Sequence, residues 1–209
     1  MKFLVCIVLV LGQTTFGQKS NVVYGDDFSF ELIKAKKEPK ITTNSTNYSV
    51  YANSNQKKVR LVFKVNSNSR KRVRLDPNKF YLLDEKRRER LRPMDVRLLN
   101  LSEYQGFPRL LHEPLIDKDY QIYLLKYKPE IRDTFKDYSI SGYKDCEAKI
   151  SIAPNSTIFK KQKPKTITYY YGYKKLSSRR LGLSFNVGKD FKKGKVYFGE
   201  QLLSEIHIE

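Results

Sequence analysis

The sequence predicts an all-β fold, and two observations predict it. Apolar and polar residues alternate at period two in several separate windows, most cleanly over Val59–Val65 and Leu181–Val187. Side chains two apart on a strand share one face, so such windows read as half-buried strands. Turn chemistry punctuates the chain at the intervals of a sandwich or barrel, giving about eight strands with no internal repeat or linker.

The elements follow in order. Gln18 to Asp26 is a polar lead-in,. Phe28, Phe30 and Leu32 alternate with Asp27, Ser29 and Glu31 as a first strand. Lys34 to Lys40 contains Pro39 and reads as loop or edge, and Thr42 to Asn55 is polar, with Val50 as a short-strand residue. Val59, Leu61, Phe63 and Val65 then alternate with Lys58, Arg60, Val62 and Lys64, a strand apolar inside and mostly cationic outside. Asn66 to Ser69 is a turn, since short polar side chains bond their own backbone,. Val73 and Leu75 restart the alternation until Asp76-Pro77-Asn78 breaks it. Phe80 to Leu83 is the next strand, Asp84 to Arg87 a reversal, and Arg88 to Arg92 a short, charged edge strand ended by Pro93,.

Leu98 to Leu115 has no clean period and holds Gly106, Pro108 and Pro114. It reads as a folded-back connection that lays leucines over one end of the core; left exposed, the same leucines would be a partner site. Asp119 to Lys128 is apolar on both faces and reads as a central strand stopped by Pro129. Glu130 to Tyr143 fits a helical stripe through Ile131, Phe135 and Tyr138, or a strand end. Ala148, Ile150 and Ile152 alternate again. Ile167 to Tyr173 and Leu181 to Val187 flank a turn at Lys174 to Ser178, which predicts a hairpin,. Val196 to Phe198 leads through Gly199 to a last strand ending at Ile208 that closes the sheet.

The order of these patterns carries a resemblance. An early VRLVFKVNSNS precedes FYLLDEKRRERLRP, and a late LGLSFNV precedes KVYFGEQLLSEIHI. The arrangement resembles the immunoglobulin-like, telokin-like β-sandwiches of uncharacterised exported bacterial proteins. It implies a single immunoglobulin-like antiparallel β-sandwich and an exported compartment. It implies no chemistry, and the leucine-rich connection departs from it.

The N-terminus reads MKFLVCIVLVLGQTTFG. Lys2, the apolar run Phe3 to Leu11 and the Thr15-Phe16-Gly17 site have the form of a signal peptide, cleaved before Gln18,. The expected organisation is therefore a signal peptide over 1–17, a lead-in over 18–26 and one β-sandwich domain over 27–209, periplasmic or secreted. Cys6 lacks a lipobox before it, which predicts no lipid anchor, and no later run is long or apolar enough for a transmembrane helix,. Cys146 is then the only thiol, so no internal disulfide is expected,. Acceptor triplets for N-glycosylation begin at Asn44, Asn47, Asn100 and Asn155, and matter only in a eukaryotic secretory pathway,.

The formal net charge is +19 and falls by one when Lys2 leaves. A field of that size draws polyanions without specifying one. The charge is bunched: Arg70, Lys71, Arg72 and Arg74 form one cluster, and Lys86, Arg87, Arg88, Arg90 and Arg92 a second. They read as an anionic-ligand surface, or as two solvated hairpin edges charged against self-pairing. A third candidate is aromatic and basic: Tyr169, Tyr171 and Tyr173 beside Lys174, Lys175, Arg179 and Arg180. Exposed tyrosines could stack sugars or bases while the cations hold phosphates or carboxylates; inward tyrosines would fill the core.

No catalytic signature is present. His112-Glu113-Pro114 lacks a second histidine at metal-ligand spacing, and His207 lies in the terminal strand,. There is no GxSxG elbow, no Cys–His pairing that can be argued from one cysteine, and no glycine-rich phosphate loop,. Asp76, Asp84, Asp95, Asp117 and Asp119 are scattered, and any two could form a hydrolytic pair,. The expectation is a non-enzymatic binding or accessory module without metal or cofactor. Its partner would be an anionic surface, acidic glycan or lipid headgroups, or an envelope protein, with nucleic acid bound non-specifically. The alternatives are an assembly protein acting through sheet edges or the leucine-rich connection, and a hydrolase with a carboxylate site.

Overall fold

Alternation at period two produces extended chain through most of a computed structural model of the protein. The structure describes residues 22–38, 48–49, 55–69, 71–99, 106–116, 120, 125–152 and 163–208. The leader, Arg70, the asparagines of all four glycosylation triplets, Leu101, Tyr104, Asp117 and Asp119 lie outside them.

The described strands form five sheets. The first has five strands in the order β1 (Val22–Tyr24), β2 (Phe28–Glu38), β4 (Gln56–Ser67), β16 (Ser178–Gly188) and β8 (Asp95–Leu99). The second runs β11 (Lys144–Cys146), β7 (Glu89–Leu91), β6 (Phe80–Asp84), β17 (Lys193–Phe198) and β18 (Gln201–His207). Three small sheets complete it. They are β10 (Leu125–Tyr127), β9 (Arg109–Leu111) and β14 (Tyr170–Tyr171); β13 (Lys165–Thr168), β12 (Lys149–Ile152) and β3 (Tyr48–Ser49); and β15 (Lys174–Leu176) with β5 (Val73–Leu75). Pairing is antiparallel except for β10 with β9 and β11 with β7. Among the described residues no helix is long and apolar enough to cross a membrane.

The all-β expectation holds, whereas the architecture is more divided than eight strands in two sheets. The inward set of β4 (Val59, Leu61, Phe63, Val65) and that of β16 (Leu181, Leu183, Phe185, Val187) are all fully buried in one core. Phe30 meets Phe80 at 5.8 Å and Phe198 at 4.9 Å, so rings from the first sheet pack on rings from the second. Aromatic pairs at such separations add to burial.

Four expected elements differ. The leucine-rich connection supplies two strands, β8 and β9, and Leu98, Phe107, Leu110 and Leu111 are buried. Of Asp119 to Lys128, residues 121–124 lie outside the described ones, and Leu125–Tyr127 forms an edge strand, β10, with Lys126 and Tyr127 exposed. The hairpin predicted around Lys174 to Ser178 does not form: β13 pairs with β12, β14 with β9, β15 with β5, and β16 with β4 and β8. Finally β7 lies between β6 and β11 instead of at an edge.

Candidate basic site and the buried arginine pair

The two arginine clusters meet opposite fates. In the second, Glu85 to Arg88 turns the chain and Arg88 takes a positive φ of 51°. The Asp84 carboxylate accepts from the Arg87 amide at 3.2 Å, closing the turn. Lys86 Nζ and Arg87 Nη2 each reach Asp190 at 2.6 Å. Hydrogen bonds from those two cations hold the Asp190 carboxyl down at about 2.

Along β7, Leu91 points into the main core, which sends Arg90 and Arg92 to the other face of the second sheet. That face is not solvent. The stretch after Pro129 folds over it, and its 3-10 turn, Thr134–Tyr138, lays Phe135 on Tyr81 and Leu83. Arg90 and Arg92 are 0% and 1% exposed. The Arg90 guanidinium bonds both Asp145 oxygens at 2.7 Å and donates to the Phe135 carbonyl at 2.9 Å. Arg92 Nη2 bonds both Asp133 oxygens at 2.9 and 2.7 Å. Both guanidiniums lie over the Phe135 ring, at 3.9 and 4.3 Å from its centre. Fork-shaped bonding and ring stacking suit arginine better than lysine for such a place. As anion-binding residues Arg90 and Arg92 are therefore corrected: their donors face internal carboxylates.

The same network brings together the only described group with metal-ligand composition. Atoms of His112, Asp133 and Glu147 lie within 4.8 Å of one another. Arg92 stands among them, bonded to Asp133 and with Nε 3.3 Å from Glu147, a charge contact without hydrogen-bond geometry. A divalent ion there would sit beside a buried guanidinium, so the carboxylates already hold their cation. His112 Nε2 is 3.7 Å from Asp133, and its ring stacks on Tyr170 at 4.8 Å.

Asn78, read in sequence only as part of a strand break, is fully buried and acts as a substitute strand partner. Its side-chain amide donates to the Tyr171 carbonyl at 2.7 Å and its oxygen accepts from the Tyr171 amide at 2.8 Å. Asp76 caps the 3-10 turn Pro77–Lys79 and accepts from Thr134 Oγ1 at 2.7 Å, tying the two turns together. Of the scattered aspartates, Asp84 is buried in its turn and Asp95 is held by Arg97 and Arg109.

Two tyrosines of the aromatic–basic candidate are core residues. Tyr169 and Tyr171 are fully buried, edge to face at 5.6 Å, with hydroxyls donating to the carbonyls of Met94 and Pro93. Burial drives both phenols upward in pKa. Neither can stack a ligand, and that part of the expectation is corrected. Tyr173, 36% exposed, remains, and the Arg74 guanidinium covers its ring at 3.8 Å.

The rest of that candidate joins the first arginine cluster. β5 pairs with β15 so that Arg74 faces Lys175 and Val73 faces Leu176. Ser67 Oγ donates to the Lys71 carbonyl at 3.2 Å, and the Ser67 amide bonds the Ser177 carbonyl, which brings Lys71 and Arg179 to the same corner. Lys71, Arg72, Arg74, Lys175 and Arg179 are exposed. Lys174 is half-buried, 5.7 Å from the Phe107 ring, and desolvation lowers its pKa. None of these six has an ion pair among the described residues. Like charges directly opposite on paired strands destabilise a ladder, so the Arg74–Lys175 register is unfavourable for folding.

Comparison of the chain with family models, with curated proteins and with solved structures finds no match.

Proposed function

We propose that the protein is a non-enzymatic binding module of the cell envelope that holds an acidic polysaccharide at the corner formed by β5 and β15. One observation carries the reading: the pairing of β5 with β15 gathers Lys71, Arg72, Arg74, Lys175 and Arg179 with no acid among them. In the second arginine cluster four of the five cations have an acid partner. Asp190 serves Lys86 and Arg87, Asp145 serves Arg90, and Asp133 and Glu147 serve Arg92. A corner left uncompensated, with two cations facing each other across a ladder, costs stability and favours an external anion.

The ligand class follows from the groups presented. Ammonium and guanidinium groups recognise carboxylate and sulfate. The one exposed ring among the described residues of the corner, Tyr173, already carries the Arg74 guanidinium over one face, which makes it a poorer platform for a base,.

The test is retention on a sulfated polysaccharide at physiological salt. Reversal of charge in R72E/K175E is expected to weaken binding about tenfold or more. K86E/R87E, equal in formal charge change, should leave it nearly unchanged because Asp190 already occupies those side chains. Equal losses in the two variants would mean that binding follows net charge, and the corner would not be a site.

A further inference from the structure

We infer that the cleft between the β1–β2 turn and the β17–β18 turn binds a small organic cation, an aliphatic amine with two or more ammonium groups. The inference stands on observations separate from the polyanion reading and does not depend on it. The cleft has a volume of about 610 Å³, which falls in the range of small-molecule sites. Its floor is aromatic: Phe28 and Phe30 from the first sheet and Phe198 from the second line it.

Two turns make its walls, and each is fixed through its backbone. In the first, Gly25, Asp26 and Asp27 all give their carbonyls to Asn68. The Asn68 side-chain amide donates to Gly25 at 2.6 Å and to Asp26 at 3.1 Å, and its backbone amide donates to Asp27 at 2.9 Å. In the second, Gly199 takes a positive φ of 62° and donates to the Lys79 carbonyl at 2.8 Å. It lies against Tyr138, where a Cβ would stand 3.4 Å from the ring. Gln201 ties the walls together at one end. Its Nε2 donates to the Tyr24 carbonyl at 2.6 Å, and its Oε1 leaves no room for a Cβ on Gly25.

With those carbonyls bonded, the first wall offers a ligand the carboxylates of Asp26 and Asp27, and the second offers Glu200. All three acids are exposed, and none has an ion pair among the described residues, although the chain holds 41 basic residues against 22 acidic ones. Among the described residues of the lining Lys79 is the one cation, and its Nζ stands 5.8 Å from the centre of the Phe198 ring. One lysine against three carboxylates leaves the cleft negative in a chain of formal charge +19.

Rings below and carboxylates on two sides select the ligand. Carboxylates bond ammonium groups, and the methylenes beside an ammonium are drawn to aromatic faces. Tyr24, 72% exposed at the rim, offers such a face. A hydrated metal ion would gain nothing from the rings. Acids on both walls favour an amine with more than one charge.

The experiment is calorimetric titration of the purified protein with spermidine at physiological salt, with magnesium chloride as the comparison. Spermidine should bind at one site. D26N/E200Q, which takes one acid from each wall, should weaken it about tenfold, and Y24A about threefold, with Y24F close to the parent. K79M should tighten binding about threefold, because it removes the cation that competes for the same acids. No spermidine binding, or binding that D26N/E200Q leaves intact, would overturn the assignment. Magnesium displacing spermidine at equal charge, with Y24A without effect, would reduce the cleft to an acidic surface and also overturn it. Weaker binding in K79M would mean that the lysine is itself a ligand-holding group, which an amine site excludes.

Discussion

Two stretches of similar composition, Lys71 to Arg74 and Lys86 to Arg92, lie on either side of β6 and end in opposite environments. The first stays exposed and without acids, and its pairing with β15 adds two further lysines. The second is neutralised at its turn by Asp190 and buried along β7 by Asp133, Asp145 and Glu147. The arginines do not differ; the supply of carboxylates does. A guanidinium can be buried only where paired acids and carbonyls replace its water. The stretch from Asp133 to Glu147 brings three acids to one face of β7, and among the described residues no acid pairs with a cation of Lys71 to Arg74.

The largest test of this contrast is Arg92→Ala. It would leave Asp133 and Glu147 facing each other and His112 without the intervening cation, and uncover one side of Phe135. Removing one partner of a buried pair costs about 3–5 kcal/mol, read as a lowered denaturation midpoint. Because the vacated space is bounded by one imidazole and two carboxylates, a divalent cation should restore part of the loss in this variant and do little for the parent. Arg72→Ala, in the exposed cluster, should change stability by about 0.5 kcal/mol or less. Equal losses at the two positions would mean that Arg92 is not the cation its acids require.

A second consequence is alkaline sensitivity, which belongs to the buried side. Burial raises the Tyr81 phenol to about 12 and the Cys146 thiol to about 11, and also raises Tyr169 and Tyr171. The unfolded chain ionises these groups near 8.5 for the thiol and 10 for the phenols. Above those values the folded state retains protons that the unfolded state has released, so stability falls as pH rises. The melting temperature should therefore drop steadily from about pH 9 towards pH 12, and absorbance of ionised phenol should show a late-titrating group of tyrosines. Alkylation of Cys146 should be slow at neutral pH, where little thiolate forms.

How much of this was legible in sequence depends on how local each signal was. The inward sets of β4 and β16 are contained in their own alternation, and both were readable. The run from Lys165 to Leu176 was not, because its three short strands join three different sheets and nothing in one strand names its partner. Arg90 and Arg92 were misplaced for a similar reason. Composition assigns arginine to the surface, while the acids that bury these two lie 55 and 41 residues later. One local signal was present: arginines flank Leu91 at period two, so a strand with Leu91 in the core must turn both to a second face. The basic corner was half legible. Both of its halves were picked out, but their union depended on the pairing of β5 with β15.

The smallest effects give the sharpest comparison, because the same substitution should change sign between the two regions. Lys86→Glu places a carboxylate beside Asp190 and removes one of the two cations that hold it. It should lower stability slightly and raise the Asp190 pKa. Lys175→Glu places a carboxylate opposite Arg74 on the paired strand and leaves the Arg74–Tyr173 contact in place. Replacing a like pair by an opposite pair across a ladder is worth roughly 0.2–1 kcal/mol, so this variant should be more stable than the parent and bind the polyanion less well. A corner tuned for folding alone would already hold an acid at position 175. A gain in midpoint together with weakened retention would show stability given up for binding at this ladder; a loss in midpoint would mean that Lys175 already has a stabilising role, and the uncompensated charge would no longer point to a ligand.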